Sequence, residues 1–339
     1  MPLQKLIRAA VDRPLTAKEA EIAFGEVMQG RATPVQIAAL LVAIRVRGAV
    51  PDEVAGGVRA LRTAMVPVDV DAEIGVIDTC GTGGGSVTTF NISTVAALLV
   101  SGLGVRVAKH GNRSFSSKCG SADVLESLGV QLNVSPARQT AILHEVGIVF
   151  LFAPSHHPAM RHVAPVRKEL GMFTIMNLLG PLTNPAGVRR QVVGVADPAL
   201  IPLVAGGLQT LGHARALVVH GEPGLDELSP LGITHGMELV HGDLREIRFD
   251  PAAELGWTGF DATELAGGGP AENAATITEV LQGQRHGAAR AAVLLNAAAA
   301  LLVADRVASL PEGVAMAEKG LDDGAGWTQL ERLRQATAG

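Results

Sequence analysis

Residues 75–94 read Gly75-Val-Ile-Asp-Thr-Cys-Gly-Thr-Gly-Gly-Gly-Ser-Val-Thr-Thr-Phe-Asn-Ile-Ser-Thr94. The apolar run 75–80 predicts a short strand, Gly81 to Gly85 predict a tight loop, and a helix is predicted from about Ser93 to Leu103. Glycines after a strand let the backbone approach an anion closely, and the start of the next helix offers unpaired N–H groups. The stretch therefore indicates an α/β fold with an anion-binding turn, the alternative being a glycine turn without a ligand.

Strands and helices alternate after this stretch. Strands are predicted at 105–108, 148–152, 191–195 and 214–219, and helices at 122–128, 136–146 and 200–211. This alternation indicates a mostly parallel central sheet flanked by helices. The polar segment Lys109 to Ser117 is predicted to be a loop. The chain is predicted to end in helices at 271–281, 287–303 and 311–338.

The residues before the sheet indicate a small helical bundle. Thr16 with Glu19 forms a capping-box pattern ahead of a helix over 17–28, and Thr33-Pro34 and Pro51 mark two more helix starts. A second helical, proline-containing segment at 157–184 interrupts the α/β alternation and is expected to pack on this bundle. The predicted domains are a small helical domain, 1–70 with 157–186, and a large α/β domain, 71–156 and 187–339.

Composition limits the classes of function. Of 339 residues, 47% are hydrophobic and 3% aromatic, and the net charge is −5, so neither nucleic acid nor a membrane surface is an expected partner. Cys80 and Cys119 are too few for a disulfide framework or a zinc site, which indicates a reduced, cytoplasmic protein. The apolar stretch 288–307 contains three charged residues and is predicted to be a buried helix.

Three further segments have side chains suited to a phosphorylated ligand. Lys109 and Arg113 supply positive charge, and Ser116 and Ser117 supply hydroxyl donors, although a solvated basic loop is the alternative. Asp226-Glu227 pairs two carboxylates, which could hold Mg²⁺ beside a phosphate or could belong to a solvated loop.

The third segment contains Arg167, which is suited to a substrate carboxylate or to a surface salt bridge. Neither common nucleotide motif is present. The glycines of 81–85 lack the dinucleotide spacing, and the chain contains no Gly-Lys pair.

Together these segments resemble the anthranilate phosphoribosyltransferase family over nearly the whole chain. The motifs that carry the resemblance are Gly-Thr-Gly-Gly, Asn-Ile-Ser-Thr, Lys-His-Gly-Asn-Arg, Ser-Ala-Asp-Val-Leu-Glu, Val-Arg-Lys-Glu-Leu-Gly, Asn-Leu-Leu-Gly-Pro-Leu-Thr-Asn-Pro and Gly-Leu-Asp-Glu, in this order. The family transfers the phosphoribosyl group of phosphoribosyl pyrophosphate (PRPP) to anthranilate in tryptophan biosynthesis. The resemblance implies a small helical domain, a large α/β domain, and a homodimer through the helical domains.

The resemblance also implies a set of site residues. PRPP would contact Gly81, Gly84, Gly85, Thr89, Asn91, Ile92, Ser93, Thr94, Lys109, His110, Gly111, Asn112, Arg113, Ser114, Phe115, Ser116, Ser117 and Ser121. Anthranilate would contact Gly81, Asn112 and Arg167, with His110, Met160 and Pro154 along its approach. Two Mg²⁺ ions would be held with the pyrophosphate by Ser93, Asp226 and Glu227. The residues in catalytic positions would be His110, Asn112 and Arg167.

The sequence departs from the family pattern at one position. The family's first loop usually reads Gly-Thr-Gly-Gly-Asp-Gly, whereas Gly85-Ser86 follows Gly84 here. A carboxylate near the reacting end of PRPP is therefore missing. Backbone N–H contacts survive such a change, and we expect activity to be retained with altered magnesium affinity or PRPP positioning.

The residues favour a particular chemistry. Displacement at the ribose carbon through an oxocarbenium-like state requires stabilisation of the leaving group and positioning of the substrates more than a strong base. Because the aryl amine of anthranilate is neutral, His110 need only take a late proton. Two alternatives remain: a pyrimidine-nucleoside phosphorylase, which would use inorganic phosphate, and a catalytically inactive relative that binds nucleic acid.

Overall fold

A computed structural model describes residues 2–71, 75–114 and 118–338 of the chain. Four helices open it, and two of them begin with capping boxes, one predicted at Thr16 and the other at the predicted helix start Thr33. Thr16 Oγ1 accepts the Glu19 N–H while the Glu19 carboxylate accepts the Thr16 N–H, and Thr33 pairs with Gln36 in the same way. The bounds are α1 Leu3–Asp12, α2 Ala17–Met28, α3 Pro34–Arg47 and α4 Pro51–Ala64.

The rest of the described chain alternates strands and helices. The strands are β1 Asp78–Gly81, β2 Val107–Gly111, β3 Ile148–Phe152, β4 Arg190–Gly194, β5 Arg215–Gly221, β6 Thr234–Val240 and β7 Asp243–Phe249. The helices are α5 Ile92–Gly102, α6 Ser121–Ser127, α7 Pro136–Val146, α8 Ala153–His156, α9 Ala164–Leu170, α10 Met176–Leu179, α11 Ile201–Thr210, α12 Pro251–Leu255, α13 Pro270–Leu281, α14 Gly287–Val303, α15 Leu310–Asp322 and α16 Ala325–Thr337.

The strands form a five-stranded sheet in the order β1-β4-β5-β6-β7 and a two-stranded sheet of β2 with β3. Pairing is parallel for β1-β4, β4-β5 and β2-β3, and antiparallel for β5-β6 and β6-β7. The predicted fold class, a helical domain with a largely parallel α/β domain, is therefore confirmed. The β6-β7 hairpin, which turns at His241-Gly242, was not predicted.

Two apolar cores hold the molecule together. One packs α5, α14, α15 and α16 around β2, β3 and part of the larger sheet. The other packs the four N-terminal helices against Val163 to Leu182 and against one face of β4 and β5. The bundle therefore buries its apolar side on the mid-chain segment and on the sheet at once.

One predicted boundary is wrong in a way that matters for the site. The strand expected at 105–108 runs instead from Val107 to Gly111, so Lys109 and His110 lie in a buried strand rather than in a polar loop. The strand continues because each of its residues pairs with one of β3. Of the predicted loop, only residues 112–114 are described outside the strand, and Phe115, Ser116 and Ser117 lie outside the described residues.

Helix α14 is nearly all buried, as predicted for the apolar stretch at 288–307. Among the helices of the described residues, none combines the length and apolar character that a membrane crossing requires.

Candidate active site

The glycine loop after β1 closes over the carboxylate of Asp226. The Gly83 N–H donates to Asp226 Oδ2 over 3.0 Å. A Cβ added at Gly81 would lie 2.7 Å from the same oxygen, so the approach requires glycine. Parallel strands place their carboxyl ends at one edge, and the loops after β1 and β5 meet there.

The second carboxylate meets the start of α5. Glu227 Oε1 accepts a hydrogen bond from the Ser93 N–H over 3.2 Å. This N–H belongs to the first turn of α5, where backbone N–H groups have no acceptor within the helix. The Ser93 hydroxyl in turn accepts a hydrogen bond from Lys109 Nζ over 3.2 Å. Ser93, Asp226 and Glu227, which the family resemblance implies as a cation site, therefore lie at the same edge.

Burial sets the electrostatics of this carboxylate pair. It raises the pKa of Glu227 to about 8, with the neighbouring charge of Asp226 adding to the effect. Burial also raises the pKa of Asp226. A bound cation would lower the pKa of both carboxyl groups again, because positive charge stabilises their ionised forms. Carboxylate and hydroxyl oxygens are also the ligands that Mg²⁺ prefers. No group of three or more His, Cys, Asp or Glu side chains suited to a metal occurs in the described chain. A cation here would therefore need ligand oxygens as well.

Lys109 does not extend into an open loop. Its side chain is buried and its Nζ donates to Thr79 O over 2.6 Å, beneath the glycine loop. Burial lowers the pKa of Lys109, while the nearby carboxylates of Asp78 and Glu227 oppose that shift. The ammonium group acts as a resident counter-cation of the carboxylates.

Arg113 is also engaged by protein groups. Its exposed guanidinium pairs with Asp123 and Glu126 of α6, at 2.9 and 2.8 Å. The Ser114 N–H donates to Asp123, and Ser121 Oγ donates to Asn112 O over 3.4 Å. The loop after β2 is thus tied to α6, and Arg113 would have to leave two carboxylates to meet a phosphate.

The polar residues before and within α5 differ in what they can offer a ligand. Asn91 is held by Cys119 O and by the Asn273 side chain, at 3.3 and 3.0 Å. Ile92 and Thr94 are buried, so only their backbones could contribute. Thr89 forms a bridge with Ala266. Of the predicted helix-start residues, Ser93 is the one whose hydroxyl shares the edge with both carboxylates.

A second group of predicted residues lies where β2 meets the mid-chain segment. His110 Nε2 is 3.2 Å from His157 Nε2, and burial lowers the pKa of both rings, that of His157 to about 4. Both imidazoles are therefore neutral at pH 7. Pro154 in α8 is exposed, and Met160, in the 3-10 turn at 158–162, is half buried.

Arg167 of α9 has no hydrogen bond or ion pair to its guanidinium from the described residues, although it is half buried. Burial accordingly lowers the pKa of this guanidinium. A half-buried cation without a protein partner is suited to an anionic ligand.

Comparison with known proteins agrees with this architecture. A family model described as the α/β domain of a glycosyl transferase family matches residues 73–327, and one described as the helical bundle domain matches residues 3–65. The anthranilate phosphoribosyltransferase of Roseiflexus castenholzii is 47% identical, over 98% of this chain and 98% of its own. That of Rubrobacter xylanophilus is 47% identical, over 97% and 96%. The chain belongs to the anthranilate phosphoribosyltransferase family.

Solved structures of anthranilate phosphoribosyltransferases superpose over nearly the whole chain. The crystal structure from Thermus thermophilus is 44% identical with a TM-score of 0.92, covering 98% of this chain and 99% of that one. The Saccharomyces cerevisiae enzyme in complex with PRPP and Mg is 26% identical with a TM-score of 0.88, covering 99% and 98%. The same yeast enzyme in complex with 4-fluoroanthranilate has a TM-score of 0.87 at 25% identity, covering 99% and 97%. The predicted family is confirmed.

Gly85 and Ser86, where the sequence departs from the usual loop of anthranilate phosphoribosyltransferases, contact the loop after β5. A Cβ at Gly85 would lie 3.0 Å from Gly224 O and 3.4 Å from Asp226 Oδ1. Ser86 Oγ donates to the same Gly224 carbonyl over 3.5 Å. The glycine loop thus packs directly on the loop after β5, without a side chain between them at position 85.

Two residues near this anthranilate phosphoribosyltransferase site had no role predicted from the sequence. Asp78 and Asn184 are fully buried and hydrogen-bonded to each other over 2.8 Å. The available signal was a charged residue within the apolar run Val76-Ile77-Asp78, because a buried carboxylate requires fixed partners.

Proposed function

We propose that the chain transfers the phosphoribosyl group of PRPP to the amine of anthranilate, giving N-(5-phosphoribosyl)anthranilate and pyrophosphate, with Mg²⁺ required. The observation that carries the proposal is the half-buried pair Asp226-Glu227, hydrogen-bonded to the glycine loop and to the start of α5. Two anthranilate phosphoribosyltransferases match over 98% and 97% of the chain. The reaction is a step of tryptophan biosynthesis.

The diphosphate of PRPP would lie against the glycine loop and the first turn of α5, where N–H groups and the helix dipole favour an anion. Gly84, Gly85 and the backbone of Asn91 to Thr94 would contribute there. The loop that follows β2 would cover the ribose 5-phosphate. The remaining proposed PRPP contacts are Gly81, Thr89, Lys109, His110, Gly111, Asn112, Arg113, Ser114, Phe115, Ser116, Ser117 and Ser121.

Asp226 and Glu227, with the Ser93 hydroxyl, fit a hard cation, and we assign two Mg²⁺ ions to them and to the PRPP oxygens. When bound, Mg²⁺ neutralises charge on the departing pyrophosphate. The chain's own part is to hold these oxygens together, since Gly83 and Ser93 donate to the two carboxylates.

Anthranilate would place its carboxylate on the Arg167 guanidinium and its ring near Asn112 and the Gly81 backbone, with Met160 and Pro154 along the entry. Holding the aryl amine in line with the ribose carbon supplies the positioning that an oxocarbenium-like displacement needs. The neutral His110 imidazole, which lies against His157, would take the late proton.

The test is a fluorescence assay with purified protein, PRPP, MgCl₂ and anthranilate, in which anthranilate emission is followed. Loss of emission that requires both PRPP and Mg²⁺ supports the proposal. Unchanged emission, in protein that calorimetry shows to bind PRPP, would refute anthranilate as the acceptor. Phosphorolysis of a pyrimidine nucleoside in a parallel reaction would favour the phosphorylase alternative.

We further propose that residues 1–70 with 157–186 form the smaller domain and that the protein is a homodimer through it. The core shared by the first four helices and Val163 to Leu182 supports the domain division. An apolar stripe on the outer face of α3 supports the dimer, since Val35 and Val46 are 77% and 80% exposed. Ala39 and Val42 lie between them at helical spacing.

A charge placed in this stripe tests the dimer. Val46→Glu should halve the molar mass in light scattering without changing the circular dichroism spectrum, because the side chain is exposed within one chain. An unchanged mass of two chains would place the interface elsewhere, and a wild-type mass of one chain would refute the dimer.

A further inference from the structure

The sheet opens between β1 and β2. The two strands begin as parallel neighbours, since the Ile77 N–H donates to Arg106 O and the Ala108 N–H to Ile77 O, at 2.9 and 3.0 Å. After the bridge of Ile77 with Val107 they separate into different sheets. A continued ladder would join the Thr79 N–H to Ala108 O and the His110 N–H to Thr79 O.

Side chains take the place of that ladder. The His110 N–H donates to Asp78 Oδ1 over 3.2 Å. Lys109 Nζ donates to Thr79 O, and Asn184 Nδ2 donates to Ala108 O over 2.7 Å. The backbone groups at the opening are satisfied by a buried carboxylate, an ammonium and an amide.

The partners of Asp78 have fixed orientations. The Asn184 amide cannot turn, because its Oδ1 accepts the Ala186 N–H while its Nδ2 donates to Ala108 O and Asp78 Oδ2. Gln191, the strand neighbour of Asp78, donates from Nε2 to Pro181 O over 3.0 Å. That orientation points the same nitrogen at Asp78 Oδ2, at 3.5 Å.

Both oxygens at position 78 therefore face donors, so the position requires an ionised carboxylate and not an amide of the same shape. The opposing charge is the Lys109 ammonium, and the carboxylate itself is fully buried. A charge in this place is costly unless all its donors are kept.

Asp78 joins three parts of the candidate site. It begins β1, which leads into the glycine loop, and it bonds the backbone of β2, which carries His110 and leads to Asn112. Through Asn184 it also bonds the end of the mid-chain segment that contains Arg167. The diphosphate side and the acceptor side of the site thus meet on one carboxylate.

We propose that Asp78 is a positioning residue of the transfer reaction, whose two carboxylate oxygens hold the acceptor side of the site, at β2 and Asn184, in register with the glycine loop. This inference rests on the proposed function. A displacement of about 1 Å between reacting groups is enough to slow a reaction on the order of 100-fold.

The test compares Asp78→Asn with Gln329→Glu. Gln329 is a matched control, because it is also buried and its amide donates to Val146 and to Ser101, which lies at the opposite end of α5 from Ser93. Both changes reverse the hydrogen-bonding character of a buried side chain at constant shape. We expect Asp78→Asn to lower kcat/KM for anthranilate on the order of 10- to 100-fold while KM for PRPP changes less than about threefold.

The control should lower Tm but leave both KM values unchanged. If Asp78→Asn also leaves both KM values and the kcat per folded molecule unchanged, Asp78 is only structural and the inference fails. Should Asp78→Asn not fold, Asn184→Ala, which removes one donor, should show the same kinetic pattern at smaller size. If Asn184→Ala does not show this kinetic pattern, the inference is likewise overturned.

Hydrogen–deuterium exchange provides a readout independent of activity. Peptides that include His110 should exchange faster in Asp78→Asn and at the wild-type rate in Gln329→Glu, because an amide offers one oxygen to donors on two sides and its NH₂ group opposes the other donor, which loosens the hold on β2. Unchanged exchange at His110 would contradict the proposed role. If the wild type fails to consume anthranilate, the proposed function fails, and the exchange result alone decides whether Asp78 holds β2.

Discussion

Single residues of the site are distinguished by whether they already have a partner. Lys109 and Arg113 are both positively charged, yet each is bonded to groups of the protein. Arg167 has a half-buried guanidinium from which no described residue accepts a hydrogen bond. The residue with its bonding capacity free is the one best suited to a substrate anion.

Removal of this guanidinium should weaken the binding of anthranilate and leave the binding of PRPP unchanged. Arg167→Ala is expected to raise KM for anthranilate roughly 10- to 100-fold, since hydrogen bonds to a charged group contribute about 1.5–3 kcal/mol. KM for PRPP should change little. Steady-state rates with each substrate varied in turn measure both constants. Equal increases in the two constants would contradict the assignment. Arg167→Lys is the matched control, because it keeps the positive charge but cannot form two parallel hydrogen bonds to a carboxylate.

His213 gives the fold a dependence on pH. Burial lowers its pKa to about 3, and its Nδ1 has no partner among the described residues, while Nε2 bonds Gln191. The unfolded chain takes up this proton near pH 6.5 and the folded chain only near pH 3, so the free energy of unfolding falls as pH drops between these values.

Between pH 6.5 and pH 5 this one group should lower the free energy of unfolding by about 2 kcal/mol. Urea midpoints at the two pH values measure the loss. His213→Gln keeps a donor for Gln191 but has no ring to protonate, so the variant should lose less stability on acidification. An equal loss in variant and wild type would assign the effect to other groups.

At the scale of elements, α4 lies between two helices at close range. A Cβ added to Gly56 would lie 2.6 Å from Ala20 Cβ of α2, and one added to Gly206 of α11 would lie 2.7 Å from Pro51 Cγ. Glycine at these positions lets three helix backbones stack without a gap. The bundle is fixed to the sheet through that stack, since α11 also packs on β5 and β6.

A methyl group should separate these helices. Gly56→Ala is expected to destabilise the fold by about 1–3 kcal/mol, because the neighbouring atoms are backbone and a short side chain that cannot move away. Gly25→Ala is the control: nothing lies within 4 Å of its Cβ position in α2.

The control should stabilise by about 0.5–1 kcal/mol through helix propensity. Urea titrations followed by circular dichroism measure both variants. Gly56→Ala at wild-type stability would show that the α2-α4 contact yields more readily than the distances imply.

At the scale of the whole molecule, PRPP and Mg²⁺ together should stabilise the folded protein. A ligand at about 100 times its Kd adds about 2.7 kcal/mol to the folded state. PRPP with Mg²⁺ should therefore raise Tm by several degrees, and PRPP alone by less, as measured by differential scanning fluorimetry.

The variant Asp226→Asn with Glu227→Gln keeps the shape of the pair but not its charge. In this variant the added effect of Mg²⁺ should disappear while that of PRPP remains. An undiminished Mg²⁺ effect would place the cation on other groups.

Much of this architecture could be predicted from the sequence, because local patterns carry it. The capping box at Thr16, the helix start at Thr33-Pro34 and the strand at 148–152 are confirmed, since each depends on residues close in sequence. The environment of Lys109 could not be predicted, because a lysine in a polar-looking run gives no sign that Thr79 and Ser93, distant in sequence, will bury it.

The bonding of Asp78 to Asn184 escaped prediction for the same reason: the two residues are joined only by the fold. The β6-β7 hairpin did carry a local signal, a His241-Gly242 turn between alternating runs.

The way the N-terminal bundle shares its core has a consequence for synthesis on the ribosome. Its helices leave the exit tunnel before their apolar partners, Val163 to Leu182 and the face of β4 and β5, which are translated about 100 residues later. At about 5–20 residues per second the nascent bundle waits on the order of ten seconds with that surface uncovered. We expect trigger-factor-like chaperones to hold it during this interval, and a fragment that ends soon after α4 to aggregate when expressed alone.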